Sequence, residues 1–165
     1  MIDHLPHPRG IAADELRRHN LSTVLEAIHL EGAVSRADLT ARTGLNRSTI
    51  RGLLVELIDL GLIVEDSVTT KTSPGRPSSV ARARPTGAIA LAVELEVDYT
   101  VVSTVGLGGH IFDTARASNP SPDAPPGTIV TLLSDLAAPL LKALPANSVL
   151  IGAGLYFLDV PLAIP

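Results

Sequence analysis

Residues 35–63 read SRADLTARTGLNRSTIRGLLVELIDLGLI and hold two sets of helix boundary signals in quick succession. Ser35 suits an N-cap because its hydroxyl can accept a backbone N–H of the first turn, and Asp38 three residues on makes a weak form of the capping box. Gly44 ends this short helix, since glycine takes the left-handed conformation found just past helix C-termini. Asn46 is a second N-cap. It opens a longer helix with Ile50, Leu53, Leu54, Leu57 and Ile58 on one face, stopped by Gly61. The opposite face, at the start of this helix, shows Arg47, Ser48 and Arg51.

The flanks extend the pattern. Leu21, Val24, Leu25 and Ile28 recur at helical spacing, predicting a helix over residues 14–31 that stops at Gly32. The tripeptide AVS is a short extended link. Beyond Gly61, LIVED and SVARA are strand-like and enclose SVTTKTSPGRPSS, the tip of a hairpin. Three helices and a two-stranded hairpin make a winged helix-turn-helix over residues 14–85. Residues 1–13, which carry Pro6 and Pro8, are expected to form a disordered tail.

Pro85-Thr86-Gly87 punctuates the chain. After it come β-branched and apolar runs at residues 88–97, 99–107 and 110–117, then the polar Pro-rich loop SNPSPDAPPG. Ile129, Leu132, Leu133, Leu136 and Leu140 predict a helix over 128–144, which Pro139 should kink or shorten. A buried strand follows over 149–158. The fold class is therefore α+β: a winged helix-turn-helix, then a partial α/β domain over residues 86–165 with a mixed sheet and one covering helix.

Composition narrows the function. The 165 residues are 45% apolar and 18% charged, which suits a globular protein, and with 2% aromatics the core must be aliphatic. There is no cysteine, which removes disulfides and thiolate metal sites and agrees with a cytoplasmic location. No apolar run reaches the roughly 20 residues of a membrane helix, so no membrane partner is expected. Residues 1–85 carry 11 Lys and Arg against 10 Asp and Glu, while residues 86–165 carry 2 against 7. A polyanion-facing first part joined to a part with another task explains that asymmetry.

A helix fits the major groove of double-stranded DNA, where its N-terminal residues dock. Contacts are expected from Asn46, Arg47, Ser48, Thr49 and Arg51, with Ser35 and Arg36 gripping the backbone from the supporting helix. Arginine can pair with guanine through two hydrogen bonds, and hydroxyls can hold phosphate oxygens. Gly75-Arg76-Pro77 at the wing tip is thin and extended, so Arg76 suits a narrow minor groove. The five histidines lack metal-ligand spacing, no serine sits in a nucleophile elbow, and the Gly106–Gly109 run precedes a strand and is a hairpin turn. No catalytic residue, metal or cofactor is expected.

The stretch RRHNLSTVLEAIHLEGAVSRADLTARTGLNRSTIRGLLVELIDLGLIVED, followed by PGRPSSVARARPTGAIALAVELEVDYTVVSTVGLGGHIF, resembles the start of the ROK family of bacterial regulators and sugar kinases. The resemblance implies a winged helix joined to an actin-like, sugar-kinase-like domain, usually in oligomeric repressors of carbohydrate genes. Family kinases carry a glycine-containing phosphate loop between the first two strands of that domain. Here the stretch is ELEVDYT, with Glu94, Val97 and Asp98 and no glycine, so backbone N–H groups cannot close on a phosphate. The family's catalytic Asp, sugar-gripping Glu-His motif and Cys-rich zinc motif would all fall after residue 165. The chain is thus expected to be truncated and to lack the sugar effector site.

The expected function is a sequence-specific DNA-binding regulator, a repressor of carbohydrate-related genes acting as a homo-oligomer, and not an enzyme. The alternative is a protein-interaction module built on a winged helix without DNA binding. Salt separates the two, because DNA binding weakens steeply with ionic strength.

Overall fold

The computed structural model describes residues 8–67 and 79–157. The chain divides into two compact units, residues 1–84 and 85–165.

In the first unit, helix α1 (Pro8–Glu31) leads through strand β1 (Ala33–Ser35) to helices α2 (Arg36–Thr43) and α3 (Arg47–Asp59). Strands β2 (Ile63–Ser67) and β3 (Ser79–Ala83) then form the wing hairpin. Helix α1 starts earlier than the sequence signals, so residues 8–13, assigned to a disordered tail, are helical. Residues 13–19 are exposed, which left no apolar periodicity to reveal the extension. Pro8 fits a first turn, where its missing N–H has no intrahelical partner to lose. The AVS link is a true strand: β1 pairs antiparallel with β3, Val34 opposite Ala81, giving the sheet order β1-β3-β2.

One cluster of buried residues holds these elements together. Val24 and Ile28 of α1, Leu39 of α2 and Ile50, Leu53, Leu54 and Leu57 of α3 meet Val34, Ile63 and Ala81 of the small sheet. Each fully buried Leu, Ile or Val contributes about 1.5–3 kcal/mol. Helix α3 stops in a Schellman arrangement: Leu62 N–H donates to Leu57 O at 3.0 Å and Gly61 N–H to Ile58 O at 2.8 Å. Gly61, at φ 70°, supplies the left-handed turn that aims β2 back along the core.

In the second unit, β4 (Ile89–Leu95), β5 (Tyr99–Gly106) and β6 (Ile111–Ser118) form an antiparallel meander. Helix α4 (Gly127–Lys142) lies against β5 and β6, and β7 (Leu150–Phe157) returns parallel to β4. The order β6-β5-β4-β7 is one mixed sheet, the layout expected from sequence. Pro139 stands inside α4, in its last turn, and the helix closes one turn of chain later at Lys142. Thr100, Val102, Thr104 and Gly106 are buried at alternate positions along β5. Gly106 has no room for a side chain, because a Cβ there would collide with the Pro85 carbonyl and the Phe112 ring.

Candidate nucleic-acid interface

Two caps set the angle at which α2 and α3 enter. Ser35 Oγ accepts from Asp38 N–H at 3.1 Å and donates to the Asp38 carboxylate at 2.7 Å. At the other end of α2, Gly44 adopts φ 68° and its N–H donates to Thr40 O. Asn46 then gathers three donors on its side-chain oxygen: Thr49 N–H at 2.8 Å, Ser48 Oγ at 2.6 Å and Thr49 Oγ1 at 3.0 Å. Ser35, Asn46, Ser48 and Thr49 thus shape the turn before they can meet any partner. Losing such a cap costs about 1 kcal/mol.

The four arginines of this segment fall into two kinds. Arg42 is ion-paired with Glu31. Arg36 makes a two-pronged bond with Glu65 of β2, Nε to Oε1 at 2.8 Å and Nη2 to Oε2 at 2.6 Å. The hydrogen bonds from Arg36 hold the Glu65 carboxyl below its ordinary range against the opposing effect of burial, and a weaker bond from Ser79 helps. The same pairing raises Arg36. Arg36 therefore ties the start of α2 to the wing, with its charge neutralised at rest.

Arg47 and Arg51 behave differently. Both are exposed, and neither side chain has a hydrogen bond or ion pair among the described residues, while Ile50, Leu53, Leu54 and Leu57 are buried behind them. They line a cleft of about 370 Å³ together with Arg36, Ala37 and Thr40. The first turn of α3 holds no acid, so Arg47 adds its charge to the positive end of the helix dipole. A cation placed there costs about 0.3–1 kcal/mol and makes the site attractive to anions.

The fold brings Arg36, Arg47 and Arg51, all expected from sequence, to one cleft, together with Ala37 and Thr40, which sequence did not single out, and it sets Glu65 against Arg36. Thr40 follows Arg36 by one helical turn, a signal that was available. The Arg36–Glu65 pair joins residues far apart in the chain and left no local trace. Arg76, assigned to the minor groove, lies outside the described residues. Gly52 of α3 is exposed, with open space where its Cβ would stand. Glycine within a helix costs about 0.5–1 kcal/mol relative to alanine.

The turn between β4 and β5 offers no comparable anion site. Asn119 occupies its carbonyls, donating to Glu96 O at 2.6 Å and Val97 O at 3.2 Å, and accepts from Thr100 at 2.6 Å. Desolvation first, and the neighbouring Glu94 second, raise the Glu96 carboxyl above its ordinary range.

Residues 21–67 match the IclR helix-turn-helix domain family and form a helix-turn-helix domain. The fold is similar to the crystal structure of a ROK family transcriptional regulator, described as a homologue of the E. coli MLC protein. The TM-score is 0.57 and the sequence identity 22%, over 86% of this chain and 36% of that one. The chain thus spans about a third of the length of that regulator, and the likeness extends through both units. No curated protein matches the chain in sequence.

Proposed function

We propose that the chain is a sequence-specific DNA-binding transcriptional regulator, with α3 in the major groove and the wing beside it in the minor groove. The observation that carries this is the pair of exposed guanidinium groups of Arg47 and Arg51, without partners among the described residues, on a helix-turn-helix domain. Arg36, half-exposed on the same cleft, grips the backbone once a phosphate competes with Glu65. Ser35, Asn46, Ser48 and Thr49 hold the helix start against the duplex, and Arg76 reaches the minor groove. As in the resembled family, the protein represses carbohydrate-related genes in the cytoplasm as a homo-oligomer, without catalysing a reaction.

Duplex selection from a random library with the full chain, followed by affinity measurements across salt, tests the proposal. Binding to the enriched duplex should weaken steeply as salt rises, and removing Arg47 or Arg51 should reduce the log–log slope by about 1 each. No enrichment, or binding indifferent to salt, would leave the winged helix as an interaction module instead.

A further inference from the structure

On α3 the two exposed arginines do not occupy the outermost line. Ser48, Gly52 and Val55 succeed one another at spacings of four and three, so they stack along one side of the helix. That side is opposite the buried line of Ile50, Leu53, Leu54 and Leu57. Arg47 and Arg51 sit on its flank, toward α2, where they line the cleft. From its start to Val55 the outermost line is thus low and uncharged: a hydroxyl already bonded to Asn46, a glycine with open space around it, and a valine 49% exposed, with Asp59 continuing the line a turn later. Among the described residues nothing calls for glycine at position 52, and alanine would make the better helix. Nothing among the described residues covers Val55 either. Both oddities have one explanation if another molecule comes close along this line.

Building on the proposal of DNA binding, we infer that Ser48, Gly52 and Val55 form the base-reading edge of α3, with Gly52 at the closest approach of helix to base pairs and Val55 against the methyl group of a thymine. In the major groove the thymine methyl is the one apolar feature a side chain can recognise. Arg47 and Arg51, set to the side, then bind the phosphates bordering the groove. This assigns sequence choice to the uncharged residues and overall attraction to the charged ones.

The test uses the full chain and the duplex enriched from a random library. Gly52→Ala should raise the melting temperature yet weaken binding to that duplex by about tenfold, the size of one mismatched base pair. Binding to an unrelated duplex at low salt should stay within about twofold, because phosphate contacts dominate there. Replacing each thymine by uracil, which deletes only the methyl, should weaken the native protein at one position, and Val55→Ala should be insensitive to that same replacement. Native affinity in Gly52→Ala, or no position whose uracil effect Val55→Ala abolishes, overturns the inference while leaving DNA binding intact. Failure of the native chain to enrich any duplex removes the DNA-binding proposal and this inference together.

Discussion

The two units are of similar length but differ in how they use apolar side chains. In the first, ten buried residues from three helices and a small sheet form one cluster. In the second, the buried apolar residues among those described are Ile89, Val102 and Leu140, accompanied by the threonines Thr100 and Thr104. Strand β7 lies at the sheet edge with Leu150, Ile151, Leu155 and Tyr156 all exposed and no charge along it. The first unit therefore has an enclosed core and presents charge outward. The second presents an apolar edge, the kind of surface on which chains associate.

The largest expected effect lies in the first core. Leu54 is fully buried, and Leu54→Ala should cost about 2–5 kcal/mol in denaturant unfolding. A loss below 1 kcal/mol would mean that the cluster is no better packed than the second unit. Next is Gly106→Ala, where the new methyl meets backbone and ring together. Overpacking of that kind costs about 1–3 kcal/mol, and the loss should fall in the unfolding of the second unit.

Glu65→Gln tests the electrostatic joint between helix and wing. The folded carboxyl lies below its ordinary range, so its stabilisation is complete above the unfolded value and disappears as pH falls through the folded one. The substitution should cost about 1 kcal/mol near neutrality, since its partner Arg36 is half-exposed, and should flatten the acid side of the stability profile. It should also free Arg36, steepening the salt dependence of DNA binding. A profile unchanged between pH 3 and 7 would show the pair to be idle.

The smallest effect on stability is expected at β7. Ile151→Lys with Leu155→Lys should change unfolding by no more than about 0.5 kcal/mol per site, because both side chains are already exposed. Light scattering should nonetheless show the native chain self-associating and the double variant not. A native chain that stays monomeric at high concentration would break the contrast between the units. Paired half-sites on DNA would make such association useful, since two-fold operators match two-fold proteins.

Local rules were enough for much of this molecule. Ser35, Gly44, Asn46 and Gly61 set their helix ends through bonds to residues within a few positions, so those boundaries were legible in the sequence. Apart from Ile58, which was expected on the buried face of α3 and is exposed, alternating and helical apolar spacing likewise revealed that face and the strands of the second sheet, because periodicity records which side is covered. Interactions between distant residues left no such record. The bond from Arg36 to Glu65, the pairing of β1 with β3 and the ring of contacts that excludes a side chain at Gly106 all join residues separated in the chain. Arg36, Arg47 and Arg51 look alike in sequence, yet Arg36 became a neutralised tie while the other two have no partner among the described residues, since the Glu65 carboxylate arrives only when the wing folds back beside α2.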